Sequence, residues 1–112
     1  METRDFKDLV GFSDEGPTKQ VVFESERLWA QLLCVGRNQS HGPVMDPDAD
    51  GMFTVVAGEA VFVARRKRKR LGQWGSAMVP AGTEVSITNA SADPLVILLV
   101  TAPPPVPRQV AS

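Results

Sequence analysis

A chain of 112 residues, 43% hydrophobic and 22% charged, has room for one packed core and not for two. Its formal net charge is −1, and no apolar run approaches the ~18 residues of a membrane span, so a soluble globular domain without a membrane partner is expected. The single cysteine, Cys34, excludes an internal disulfide, cannot build a thiolate metal site alone, and reads as a small buried apolar group.

The opening METRDFKDLV is charged and lacks the apolar stretch of a secretory signal, which gives a cytoplasmic expectation. Met1 to Gly16 mixes charges with Phe6, Leu9, Val10 and Phe12, a pattern open to a short helix or an edge strand. Pro17 breaks it. Gln20 to Glu24 is the first clear strand, turned by Ser25-Glu26-Arg27. In Leu28 to Val35, alternation puts Leu28, Ala30, Leu32 and Cys34 on one face, and Trp29, Gln31, Leu33 and Val35 on the other. Both faces are largely apolar, so this strand is expected to be covered on both sides.

Gly36 to Gly51 reads as one long loop, with three glycines, two prolines and three aspartates. A loop of that length in a small domain points to a functional or lid-like segment. Met52 to Ala57 is a strand, and Gly58-Glu59 reads as a hairpin turn into Ala60 to Ala64. Then comes RRKRKR, Arg65 to Arg70, with six of the twelve basic residues; elsewhere six basic side chains face thirteen acidic ones, a balance of −7. Lys69 to Gly72 is a candidate strand. Ser76 to Val79, the turn Pro80-Ala81-Gly82 and Val85 to Thr88 form a strand-turn-strand unit closed by Asn89. Leu95 to Thr101, LVILLVT, is a buried strand, and the prolines from Pro103 onward form an extended tail.

Many short strands about 8–12 residues apart, with Gly, Pro, Asn and Asp between them and no strong amphipathic helix, predict an all-β sandwich or barrel. Phe53-Thr54-Val55-Val56-Ala57-Gly58-Glu59 and the stretch from Trp74 to Asn89 resemble the two conserved motifs of the cupin family, small β-barrels of jelly-roll type. The best matches are the turns Val56-Ala57-Gly58-Glu59 and Val79-Pro80-Ala81-Gly82. The resemblance divides the chain into an N-terminal segment over 1–16, a cupin-like barrel over 17–102 and a proline-rich tail over 103–112. It also implies a homodimer paired through sheet edges, and LVILLVT left as an exposed strand would be an aggregation hazard.

The resemblance further implies a metal held by two histidines and a glutamate of the first motif and one histidine of the second. Here the second-motif position is Val85, the glutamate position Gly51, and the paired histidines fall within Val44 to Pro47. None is histidine or glutamate. The second motif also opens on Trp74 where the family has glycine. About three convergent ligands make a transition-metal site, so neither a metal nor another cofactor is expected. Asp46-Pro47-Asp48-Ala49-Asp50-Gly51 matches the opening of a calcium-binding EF-hand loop, but its twelfth position is Ala57, so calcium is not expected either.

If Gly51 points inward, so do Phe53 and Val55; if Val85 does, so does Ile87. Trp29, Gln31 and Leu33 add to that lining. The set describes either a cavity for a small, largely apolar ligand or a solidly packed small core. His41, the sole histidine, is a solvated loop residue or a polar group at the barrel mouth able to act as general acid or base.

Three functional readings follow. The first is a metal-free domain binding a small apolar ligand. The second is a cupin-type isomerase or lyase using His41 without a redox metal. The third is an interaction module binding a polyanion through Arg65, Arg66, Lys67, Arg68, Lys69 and Arg70. No aromatic residue interleaves that run for base stacking, which speaks against nucleic acid and for a hairpin fanning into water.

Overall fold

Strand alternation decides the layout of this chain. The computed structural model describes residues 1–104; most of the proline-rich tail lies outside the described residues. Among the described residues, nine strands follow one 3₁₀ turn at Phe6–Asp8: β1 (Thr18–Glu24), β2 (Trp29–Val35), β3 (Ser40–Val44), β4 (Asp50–Ala57), β5 (Ala60–Ala64), β6 (Lys67–Leu71), β7 (Ser76–Val79), β8 (Val85–Asn89) and β9 (Leu95–Ala102). They form two antiparallel sheets, β1-β2-β9-β4-β7 and β3-β8-β5-β6. Among the described residues no helix is long and apolar enough to cross a membrane.

This order corrects two readings and bears out a third. First, β4 and β5 lie in different sheets, so Gly58-Glu59 carries the chain across the barrel instead of closing a hairpin. Gly58 has φ +86°, and a Cβ there would sit 2.5 Å from the Pro94 carbonyl oxygen, which leaves room only for glycine. Pro80-Ala81-Gly82 likewise crosses from β7 to β8. The true hairpin is β5–β6, turned by Arg65 (φ 50°) and Arg66 (φ 66°), both left-handed as a two-residue turn requires.

Second, the long loop over 36–51 contains β3. Ser40 pairs with Thr88 and His41 with Ile87, and the register then shifts before Val44 meets Val85. Gly42 and Pro43 lie in that irregularity. Proline is tolerated there because β3 is a sheet edge with no second neighbour for its backbone.

LVILLVT is an interior strand, as its apolar run leads one to expect. It runs centrally, paired to β2 on one side and β4 on the other. The sheet edges are β1, β7, β3 and β6.

The two-faced pattern of β2 holds in three dimensions. Its Leu33 and Val35 enter the core between the sheets with Phe53, Val55, Phe62, Ile87, Leu95 and Ile97. Phe53 and Phe62 meet edge to face, ring centroids 5.7 Å apart. On the opposite face, Ala30, Leu32 and Cys34 pack with Val22 and Val96 beneath Phe6, Leu9 and Phe23. The N-terminal segment, a single 3₁₀ turn and an isolated bridge from Ser13 to Gly16, therefore covers the outer face of the larger sheet.

Candidate functional site

The inner rows are bulky at one end of the barrel and thin at the other. Leu33, Val55, Ile87 and Ile97 fill the closed end and are 0–1% exposed. Toward the other end the inward positions become Trp29 and Gln31 on β2, Thr101 on β9 and Gly51 on β4. Gly51 contributes no side chain between Phe53 and Leu99, the nearest neighbours its Cβ would meet. The result is an open cleft of about 250 Å³.

Its walls come from both sheets. Lys19, Trp29, Gln31, Phe53, Leu99 and Thr101 belong to the larger one, and His41, Val44 and Val85 to the smaller; Met45, Asp46 and Ala49 close one side, and Val79, Pro80 and Thr83 another. Trp29, Gln31, Phe53, Val85 and His41 thus line one cleft. Leu33, Val55 and Ile87 are not among them; they pack in the solid core beneath it.

His41 is half-buried on β3 and lines the cleft, so it is not a solvated loop residue. Burial, and then the positive charge of Lys19, lower its pKa below the usual 6.5. The imidazole is therefore neutral at pH 7 and can accept a proton.

The polar groups beside it are short of partners. Gln31 and Thr101 are only 8% and 7% exposed, and no hydrogen bond joins either side chain to another described residue. Trp29 Nε1–H is buried without an acceptor. Leaving such a group unpaired costs about 1–3 kcal/mol. Thr83 differs, because its Oγ1 accepts a hydrogen bond from Arg65 Nη2 at 3.0 Å.

The positions at which the resemblance implies metal ligands do converge here, as Val44, Met45, Asp46, Gly51 and Val85. They do not suit a metal. Among the described residues no three histidine, cysteine, aspartate or glutamate side chains gather closely enough to hold one. Asp46 Oδ1 accepts the backbone N–H groups of Asp48 and Ala49, at 2.9 and 3.1 Å, and Asp50 Oδ1 accepts that of Ala81 at 2.9 Å. Two of the three aspartates that match a calcium loop thus shape and staple loops.

The basic run divides between turn and strand. Arg65 and Arg66 form the hairpin turn, while Lys67 and Lys69 pair with the inward-facing Ala64 and Phe62 and border a second depression between β6 and β7. Arg68 and Arg70 face the other way. Arg70 is tied down by Glu59 Oε2 at 2.8 Å and by the Ala90 carbonyl at 3.0 Å.

Sequence reasoning missed Lys19, Val44, Met45, Leu99 and Thr101 as cleft residues. Parity within LVILLVT puts Leu95, Ile97, Leu99 and Thr101 on one face, but which face and which neighbours needed the sheet order.

Two facing antiparallel sheets around an apolar core, open at one end onto a cleft walled by both, define a cupin, the double-stranded β-helix barrel. The chain is a cupin by fold, and solved structures align along nearly its whole length. It is similar to TT1209 from Thermus thermophilus, at 31% identity over 94% of this chain and 100% of that one, with a TM-score of 0.88. An uncharacterized conserved protein with a double-stranded β-helix domain from Klebsiella pneumoniae aligns at 20% identity, covering 92% and 90%, with a TM-score of 0.86. An RmlC-like cupin protein from Desulfovibrio desulfuricans aligns at 20% identity, covering 93% and 98%, with a TM-score of 0.81. No protein-family model and no curated protein sequence matches the chain.

Proposed function

We propose that this cupin works without a metal and binds a small, largely apolar molecule in the cleft. One observation carries the reading: Val85, Gly51 and the stretch Val44 to Pro47 hold the positions where the family's metal ligands are implied, none of them is histidine or glutamate, and Val85, Gly51, Val44, Met45 and Asp46 converge on the cleft. A volume of about 250 Å³ suits a ligand smaller than a typical drug molecule. The test is calorimetric titration with small aromatic and aliphatic molecules, beside elemental analysis of protein purified without chelators. Binding without stoichiometric metal supports the reading, and Gly51→Leu, which places a side chain between Phe53 and Leu99, abolishes it. A micromolar iron, zinc or manganese site overturns it.

A second reading, a cupin-type isomerase or lyase, is favoured by the place of His41 in the cleft wall. There the neutral imidazole would take a proton from a bound substrate. Incubating the cleft's ligand with the protein and following it by NMR separates the readings. Conversion that stops in His41→Asn supports catalysis, and an unchanged ligand supports binding alone.

The polyanion reading gains no such support, since the basic side chains divide between two faces of the hairpin. A homodimer paired through sheet edges remains part of the proposal, with β1 and β7 as the free edges of the larger sheet. Light scattering after size exclusion reads this directly, and a monomer at all concentrations overturns it.

A further inference from the structure

We propose that the ligand of this cleft is a small carboxylic acid, its apolar body against Phe53, Leu99 and Val85 and its carboxylate between the Gln31 amide and the Lys19 ammonium. This rests on the reading of the cleft as a ligand site and adds the chemistry of the ligand's polar end.

Gln31 stands alone as a polar side chain among the residues from Ala30 to Val35 of β2, whose other members are all apolar and buried. It is itself 8% exposed and lines the cleft, yet its amide meets no partner among the described residues. Among the described residues Trp29 Nε1 alone is a side-chain N or O atom both buried and without a partner, so the Gln31 amide is reached from the open cleft. An amide kept at such a position is suited to a partner that arrives with a ligand.

The surrounding groups decide what kind of partner that is. Thr101 contributes an O–H to the lining, and Trp29 an N–H that is buried without an acceptor. Lys19 pairs across the β1–β2 ladder with Leu33, on the same face as Gln31, and lines the cleft. None of the ion pairs among the described residues includes it. The charged and titratable groups facing it are few. His41 on β3 is neutral at pH 7, and Arg65 beyond Thr83 is a second cation. Asp46 is the single carboxylate in the lining, and one of its oxygens already accepts two backbone N–H groups. The site is rich in donors and poor in acceptors, and its complement is an anion with at least two acceptor oxygens.

Matched acids and alcohols test this: benzoate, phenylacetate and hexanoate against benzyl alcohol, 2-phenylethanol and hexan-1-ol. Binding to the full chain at pH 7 is read by calorimetry and by Trp29 fluorescence in a Trp74→Phe background, which removes the exposed second indole. The acids are expected to bind at least about tenfold more tightly than their alcohols, the range of a charge-assisted hydrogen bond. Lys19→Met and Gln31→Leu should each erase most of that preference, read as the ratio of acid to alcohol affinity within each variant. Lys19 is exposed, so its variant does not test folding. Equal affinity for acids and alcohols, or acid binding indifferent to Lys19→Met, overturns the carboxylate assignment while the apolar-ligand reading stands. Binding of neither series overturns both.

Discussion

Asn89 Nδ2 donates to the Val35 carbonyl oxygen at 3.1 Å and thereby ties the end of β8 to the end of β2, in the opposite sheet. The same amide donates to the Asp93 carbonyl at 2.8 Å, and Asn89 Oδ1 accepts the Ser91 N–H at 3.0 Å. Asn89 is 7% exposed and fully partnered, a contrast with Gln31 at the other end of the barrel. Replacing it by alanine leaves buried backbone groups unpaired. Asn89→Ala is therefore expected to lower stability by about 2 kcal/mol, or roughly 10 °C in Tm for a domain of this size. Calorimetric melting reads this, and a loss under about 2 °C would show the latch to be dispensable.

Gly58 and Gly82 both have φ near +80°, at +86° and +79°, but their surroundings differ. A Cβ on Gly58 would collide with the Pro94 carbonyl oxygen, whereas one on Gly82 meets nothing within 4 Å. Gly82→Ala should carry only the conformational penalty of about 1–2 kcal/mol. Gly58→Ala adds a backbone clash and should cost distinctly more. Urea denaturation of the two variants side by side checks the order.

Arg66 takes a left-handed φ of 66° in the β5–β6 turn and makes no side-chain hydrogen bond among the described residues. Glycine adopts that conformation without penalty. Arg66→Gly is expected to raise stability by about 1 kcal/mol, seen as a higher urea midpoint with an unchanged slope.

His41 carries a pH dependence whose sign follows from its lowered pKa. In the unfolded chain it titrates near 6.5, while burial and Lys19 hold the folded value lower, so the unfolded state binds more protons between the two values. Stability should be full above pH 6.5 and fall as pH drops through that window. His41→Gln should flatten this part of the profile. Lys19→Met should move the NMR-monitored pKa of His41 upward without fully restoring it, since burial is the larger cause.

The strands other than β3, both faces of β2, the inward parity of Phe53 with Val55 and of Val85 with Ile87, and the cupin-type turns were legible in the residues. Alternation and turn chemistry are local, and a strand with two apolar faces such as LWAQLLCV announces that something covers each. The same local signals misled at Gly58-Glu59 and across 36–51. A glycine with positive φ serves a hairpin and a sheet crossing equally, and Gly42-Pro43 looks like loop whether or not β8 is there to pair with β3. In DPDADG, Ala57 at the twelfth position already spoke against calcium, and the loop contacts of Asp46 and Asp50 with the N–H groups of Asp48, Ala49 and Ala81 were visible only in the fold.

The site divides the same way. Residue type marked Trp29, Gln31, Phe53, Val85 and His41 as candidates, and the spacing of Gly51 and Val85 disclosed the missing metal ligands. Only the tertiary structure separated the cleft from the packed core that holds Leu33, Val55 and Ile87, and only it brought Lys19 and Thr101 beside Gln31. Their nearness rests on the order of β1, β2 and β9 within one sheet, and strands distant in sequence acquire that order by pairing and burial, which no local pattern encodes.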